Sequence, residues 1–141
     1  MLSTIEQELA SSGRIMQTTV GDSMEPMLHN RQSIVVIERF DGLLKRNDIP
    51  LYKRRNGDYV LHRILRVREH DYIIRGDNCL RKEIVAHERV IGVMTGFYRD
   101  GVLVPMTDRK YRRYVAFLPI RSAAVRAKAH LRGIVHKCKR R

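Results

Sequence analysis

The chain has 141 residues, 43% of them hydrophobic, which is typical of one globular domain with its own core and argues against a disordered chain. Its net charge of +13 lies almost entirely at one end: residues 109–141 contain 12 lysines and arginines and no acid, whereas residues 1–108 contain 16 against 15 acids. A high pI of this origin does not indicate nucleic-acid binding, and no nucleic-acid partner is expected. No apolar run approaches the roughly 18 residues that a membrane-spanning helix requires.

The first predicted element is a short helix over residues 2–13. Ser3 and Glu6 have the spacing of a capping box, and Gly13 is a typical helix stop. Between them, Ile5 and Leu9 fall on one face of the helix. Because this segment holds two glutamates and only a short apolar stretch, it is unlike a signal peptide.

An unusual stretch of eight residues begins at Gly21. Gly21 permits backbone angles that other residues resist, and Pro26 fixes its own φ. The small hydroxyl side chain of Ser23 stands beside two large, flexible apolar ones, those of Met24 and Met27. The pattern predicts the end of a strand, a tight turn and a short helical turn whose N–H groups favour negative charge. By itself it is equally consistent with Ser23 as a helix N-cap.

The middle of the chain is predicted to be β-structure. Asn56-Gly57 is a strong hairpin signal between residues 51–55 and a strand over residues 58–67. Further strands are predicted at residues 33–38, 72–75, 91–99 and 102–105. Alternation along the strand after the hairpin puts Val60, His62 and Ile64 on one face. A histidine in such a place is more often structural than catalytic, so His62 needs support from elsewhere.

The C-terminal segment is predicted to form a basic amphipathic helix over residues 120–138. Its apolar residues recur at helical spacing, and basic side chains fill much of the remainder; the apolar set is Ile120, Ala124, Ala127, Leu131, Ile134 and Cys138. Such a helix can lie on an anionic membrane surface or pack its narrow stripe on the β-structure, and the two are not exclusive. The two cysteines, Cys79 and Cys138, are too few to indicate a disulfide framework and favour a reducing compartment.

Three separated residues together suggest a catalytic chemistry. A serine hydroxyl is a weak nucleophile until a neighbouring base takes its proton and a third group orients that base. Ser23, His62 and Asp77 supply these three types, each within strand-like sequence. Taken alone, the Gly-Asp-Asn run that contains Asp77 is ordinary turn chemistry.

The same stretches resemble the motifs of the signal peptidase I family. Residues 21–28 resemble its nucleophile box, residues 60–64 its general-base strand and residues 75–78 its acidic box. Residues 47–49 and 90–93 resemble the strands that lie next to these boxes. The five matches occur in the family's order and extend over residues 15–97.

This resemblance implies a serine endopeptidase with a mainly β, α+β fold. The predicted organisation is a helix over residues 1–13, a signal peptidase-like catalytic domain over residues 14–108 and a basic segment over residues 109–141. Ser23 would be the nucleophile and His62 the base, as in archaeal and endoplasmic-reticulum members; bacterial members and the self-cleaving SOS repressors use a lysine. Either Asp77 or, less favoured, Glu83 would orient the histidine.

The resemblance also implies the remaining parts of the site. Gly21 stands where some bacterial members have a hydroxyl, so backbone N–H groups of Gly21, Ser23 and Met24 would hold the oxyanion. Met24 and Met27 would face an extended precursor peptide with small residues near the cleavage point, laid against a strand edge. No metal or other cofactor is implied. An unperturbed histidine, with a pKa of roughly 6.5, predicts activity that rises near neutral pH.

Two other functions compete with the peptidase. The first is a non-catalytic binding module of the same fold that docks on a membrane or an acidic partner through its basic tail. The second is a regulator that cleaves itself, which the histidine base and the lack of a helix-turn-helix count against. The sequence predicts a cytoplasmic protein, free or held peripherally at the inner membrane surface.

Overall fold

A computed structural model of the chain describes residues 4–132. These residues form a mainly β, α+β fold, as expected, with one α-helix at each end and the strands between them. They are, in order, α1 (Ile5–Ser12), β1 (Arg14–Thr18), β2 (Ile34–Glu38), β3 (Pro50–Lys53), β4 (Tyr59–Leu61), β5 (Arg63–Val67), β6 (Asp71–Arg75), β7 (Glu83–Ala86), a 3-10 turn (His87–Arg89), β8 (Val90–Arg99), β9 (Val102–Pro105) and α2 (Arg109–Arg132).

Helix α1 is confirmed, with its capping box one residue later than expected. The hydroxyl of Thr4 accepts the N–H of Gln7 at 3.1 Å, and the Gln7 side chain accepts the N–H of Thr4 at 3.0 Å. Gly13, with φ of 76°, ends the helix and donates its N–H to Leu9. Ser3, the expected cap, lies outside the described residues.

The larger sheet is antiparallel and has the strand order β1-β2-β8-β3-β4, with β9 pairing on β8. The hairpin predicted at Asn56-Gly57 is confirmed, because β3 and β4 pair through Leu51 with Leu61 and Tyr52 with Val60. Strands β1 and β4 lie at the two ends of this order and each pair on one side only, as β9 does. The free edges of β1 and β4 border the candidate site.

The strand predicted over residues 58–67 is in fact two strands that belong to different sheets. Strand β4 ends at Leu61, β5 begins at Arg63 in a second sheet of order β5-β6-β7, and His62 alone separates them. Val60 and Ile64 are buried in one apolar cluster, while Leu61 packs against the other, so the predicted alternation of faces holds across the break.

Two apolar clusters form the core. The first joins the larger sheet, α1 and the stretch after β1, and includes Leu9, Met24, Met27 and Leu28. The second fills the space between the two sheets around Tyr52 and its neighbours. Since full burial of a methionine contributes about 1.5–3 kcal/mol, the two methionines hold the stretch that carries Ser23 on the body.

Helix α2 begins at Arg109, well before residue 120, where the predicted helix begins. The carboxylate of Asp108 accepts the N–H groups of Lys110 and Tyr111 and so caps the first turn. The helix packs on the body through Tyr111 and Leu118 and not through the predicted stripe. The described members of that stripe are exposed, and Ile134 and Cys138 lie outside the described residues.

The structure also bears on the expectations for the cysteines and for membrane-spanning helices. Cys79 is disulfide-bonded, so the expectation of unpaired cysteines is corrected. Within residues 4–132, no helix combines the length and the hydropathy that crossing a membrane demands.

Candidate active site

Ser23 lies in a series of turns between β1 and β2. The N–H of Glu25 bonds to the carbonyl of Asp22 at 3.1 Å, and the N–H of Leu28 bonds to the carbonyl of Met24 at 3.0 Å. The helical turn expected here is therefore a pair of consecutive turns. Buried neighbours of Ser23 pack in the core and hold these turns in place. Ser23 itself is half-buried and reaches the surface of a groove.

His62 lies at the junction of the two sheets and is 3% exposed. Burial lowers its pKa to about 4, because the imidazolium loses its water and the charges of Glu83 and Asp77 offset this only in part. The side chain is therefore neutral at physiological pH. A neutral imidazole is the form that accepts a proton.

Gly76 brings the serine turn and the histidine together. A Cβ built on Gly76 would lie 2.6 Å from the carbonyl oxygen of Ser23 and 3.1 Å from Nε2 of His62. The backbone N–H of Asn78 donates to the same Ser23 carbonyl at 2.9 Å. The predicted acidic box thus holds the turn of Ser23 beside Nε2, although no hydrogen bond joins the Ser23 hydroxyl to His62 among the residues described.

The other ring nitrogen of His62 faces a tyrosine and a carboxylate. Nδ1 lies 3.3 Å from the Tyr52 hydroxyl and 3.8 Å from Oε1 of Glu83. Arg54 binds both carboxylate oxygens of Glu83. Burial alone would raise the pKa of Glu83, but the hydrogen bonds and charge of Arg54 outweigh it and hold that pKa below its usual range. Glu83 is therefore an anion beside the ring.

Asp77 is engaged elsewhere. Its two oxygens accept hydrogen bonds from Nε and Nη2 of Arg63 at 2.8 and 2.9 Å, and the Tyr114 hydroxyl donates to it at 3.0 Å. No hydrogen bond between Asp77 and His62 occurs within residues 4–132. Glu83 and not Asp77 is therefore the carboxylate that lies beside Nδ1 of His62, which favours the second of the two acids expected from the sequence.

The expected oxyanion donors divide into two groups. The N–H of Gly21 donates to the side chain of Asn30 at 2.8 Å, so Gly21 is corrected as a donor for substrate. The N–H groups of Ser23 and Met24 donate no hydrogen bond to any other described residue. These two remain available at the position where charge would develop.

The two methionines also differ. Met24 lines the groove beside Ser23, and its sulfur accepts the N–H of Asp77 at 3.4 Å. Met27 is 4% exposed, packs in the core and lies with its sulfur 3.7 Å from Nη2 of Arg63. Met27 is therefore a core residue and not a substrate-facing one, because it does not line the groove.

The groove has a volume of about 510 Å³ and is lined by both Ser23 and His62. Its walls include the end of β1 on one side and all of β4 on the other, so two strands with a free edge border it. Apolar side chains make much of its floor: Ile5, Val35, Ile37 and Leu51. An open strand edge offers backbone N–H and C=O groups to an extended chain.

Several residues of the site were not found from the sequence: Tyr52, Arg54, Arg63, Tyr111 and Tyr114. A signal for the first existed, because the predicted hairpin places Tyr52 opposite Val60 and hence beside His62 on one face. The contacts of the two α2 tyrosines, Tyr111 with Arg63 and Tyr114 with Asp77, had no signal in local periodicity, since these residues meet only in the folded chain.

The chain was compared with known proteins. No protein-family model matches it, and a search among curated proteins finds no match. The resemblance to signal peptidases is thus carried by the motifs alone and stays a prediction. In the described part of the chain, no group of three or more His, Cys, Asp or Glu side chains is arranged to hold a metal ion.

Proposed function

We propose that this protein is a serine endopeptidase of the signal peptidase-like type, with Ser23 as nucleophile and His62 as general base. The observation that carries the proposal is that Ser23 and a buried, neutral His62 line one groove and meet across Gly76. The same groove is bordered by the free edges of β1 and β4, with which an extended peptide could pair.

The proposed reaction follows the usual order for acyl transfer. The Ser23 hydroxyl turns towards Nε2 as substrate binds, attacks the scissile carbonyl and passes its proton to His62. The N–H groups of Ser23 and Met24 stabilise the oxyanion. His62 then gives the proton to the leaving amine, and water hydrolyses the acyl-enzyme with His62 again as the base.

The reaction requires one particular tautomer of the His62 ring, and the contacts of Nδ1 bear on which tautomer forms. Nε2 accepts a proton only if Nδ1 carries the hydrogen, which then points to the Tyr52 hydroxyl at 3.3 Å. Glu83, at 3.8 Å, lies beyond hydrogen-bond distance and acts through its charge. That charge stabilises the imidazolium as it forms.

The groove also defines the class of substrate. A peptide between β1 and β4 must be extended, because only an extended chain presents its backbone groups to a strand edge. The apolar floor favours small or apolar side chains over charged ones. The substrate is therefore proposed to be an extended segment of a precursor peptide or protein.

The test is cleavage of a proteome-derived peptide library, with products identified by mass spectrometry. Ser23→Ala should reduce product formation by at least about 10³-fold, because the members of a catalytic unit act together. Ser11→Ala, which removes an exposed hydroxyl from α1, is the matched control and should cleave like the wild type.

The same variant separates catalysis from helix capping. The Ser23 hydroxyl makes no hydrogen bond with another described residue, so Ser23→Ala should leave the unfolding midpoint unchanged. Loss of a capping serine would instead cost about 1 kcal/mol. Full cleavage by Ser23→Ala, or lowered stability without lost cleavage, would refute the nucleophile assignment.

A further inference from the structure

Helix α2 has two opposite apolar faces, and only one of them is used by the fold. Tyr111, Leu118 and Ala129 are buried against the body. The opposite side exposes three large apolar side chains: Phe117 at 59%, Ile120 at 68% and Leu131 at 86%. At about 100° per residue, these three fall within one arc that lies opposite the buried one. Four exposed alanines extend this arc, Ala116, Ala123, Ala124 and Ala127. Arg109 and Arg113 lie in the same arc at least one turn before Phe117, so the apolar strip begins after Arg113.

Basic side chains border this exposed arc on both sides. Arg112 and Arg126 lie along one border, Lys110 and Lys128 along the other, and all four are exposed. The helix contains no acidic residue from Arg109 to Arg132. An apolar strip between two rows of cations is the arrangement that suits the boundary between phospholipid headgroups and acyl chains.

We propose that α2 lies in the surface of a membrane that contains anionic lipids, with Phe117, Ile120 and Leu131 inserted among the acyl chains. The basic borders would then contact the lipid phosphates. A nucleic acid would satisfy the basic side chains but would leave the apolar strip in water. The exposed apolar strip therefore favours a lipid surface over a nucleic acid as the partner of α2.

The buried face of the same helix reaches the candidate active site. Its Tyr111 hydroxyl accepts a hydrogen bond at 2.8 Å from Arg63, the residue that follows His62. The hydroxyl of Tyr114, on the same helix, donates to Asp77. A helix fixed on lipid by one face and on the catalytic strand by the other would hold the groove at a constant orientation to the membrane. This consequence rests on the proposed function, whereas lipid binding itself does not.

The first experiment uses tryptophan fluorescence, since the chain contains no tryptophan. Phe117→Trp in the full chain places a single reporter on the strip. Vesicles of phosphatidylcholine with phosphatidylglycerol should shift its emission to shorter wavelength, and pure phosphatidylcholine vesicles should not. Ile84→Trp, at a 67% exposed position on β7, should show no shift with either. An unshifted Phe117→Trp emission, or equal shifts with both vesicles, would overturn the proposal.

The second experiment separates apolar insertion from charge alone. Ile120→Asp and Ile84→Asp change the same residue, at almost equal exposure, by the same charge. Ile120→Asp should weaken co-sedimentation with the anionic vesicles by about tenfold or more, and Ile84→Asp by much less. Binding should weaken as salt shortens the Debye length from about 10 Å at 0.1 M to about 3 Å at 1 M.

A different outcome would favour a nucleic acid as the partner of α2. If both variants bind vesicles like the wild type, and single-stranded RNA displaces all three, the contact is purely electrostatic and the lipid proposal fails. Neither result depends on peptidase activity, so failure here leaves the assignment of Ser23 untouched. The unfolding midpoint of Ile120→Asp should match that of the wild type, because the side chain is exposed. If it does not, the emission of Phe117→Trp still reports membrane insertion independently.

Discussion

His62 and Arg63 are adjacent in sequence and both buried, yet they differ in charge. His62 avoids the cost of a buried charge by staying neutral. Arg63, 1% exposed, keeps its charge because Asp77, the Asn47 carbonyl and the Tyr111 hydroxyl satisfy its donors. Burial lowers the pKa of Arg63, but the hydrogen bonds and charge of Asp77 outweigh it and raise that pKa above its usual value. The strand junction thus places a neutral base beside a fixed cation.

The pH dependence of cleavage follows from the lowered pKa of His62. A base acts only when neutral, so kcat/KM should rise as pH increases through about 4 and should be level around neutrality. An unperturbed histidine would give the rise at roughly 6.5, as the sequence alone predicts. The measurement is kcat/KM for a library-derived peptide between about pH 3 and 8.

Stability must be followed in the same experiment. The unfolded chain protonates this histidine near 6.5 and the folded chain near 4, so the free energy of unfolding falls as pH decreases across that window. Circular dichroism at each pH separates loss of the fold from protonation of the base. A rise in kcat/KM centred near 6.5, in protein that stays folded, would contradict the environment described for His62.

At the scale of elements, the sequence predicted the strands better than their partners. Alternation and the Asn56-Gly57 turn located β3, β4, β8 and β9, because those signals are local. The break at His62 was missed, since a change of sheet leaves the alternation intact. The start of α2 was missed because Pro119 favours a helix start, whereas the tyrosines before it lie among basic residues. In the folded chain those tyrosines bond to Arg63 and Asp77, which are distant in sequence.

The segment from Arg75 to Asn78 connects the elements of the site, and Gly76 is its closest approach. Gly76→Ala would place a Cβ 2.6 Å from the Ser23 backbone, which cannot yield like a flexible side chain. We expect the serine turn and His62 to separate, with kcat/KM reduced by about 10²-fold, the cost of a displacement near 1 Å.

Gly42→Asn is the control for that variant. Gly42 has φ of 74° and nothing within 4 Å of a built Cβ, and asparagine tolerates such a backbone. Its activity and unfolding midpoint should match the wild type. Wild-type kcat/KM in Gly76→Ala would show that Ser23 and His62 are not held in contact across this glycine.

At the scale of the whole molecule, one buried network joins three distant parts of the chain. Arg63 comes from β5, Asp77 from the turn beside Ser23, and Tyr111 and Tyr114 from α2. The packing of the C-terminal helix is thereby linked to β5, the strand that begins directly after His62. Removing one partner of a buried ion pair leaves an uncompensated charge and typically costs about 3–5 kcal/mol.

Two isosteric substitutions distinguish the two acids near His62. Asp77→Asn should lower the free energy of unfolding by about 3 kcal/mol, measured in urea, because Arg63 keeps its charge without a counter-ion. Glu83→Gln lies at a partly exposed pair and should cost less stability. It should instead lower kcat by about 10²-fold or more, since the imidazolium loses its negative neighbour. Lost activity in Asp77→Asn at unchanged stability, with an active Glu83→Gln, would restore Asp77 as the orienting acid.

The two edges that border the groove bear on self-association. An exposed strand edge is a template on which another copy of the chain adds and from which aggregates grow. All of β4 and the last two residues of β1, Gln17 and Thr18, border the groove of about 510 Å³. A peptide that occupies the groove would cover these edge positions and so would keep a second copy of the chain from pairing with them.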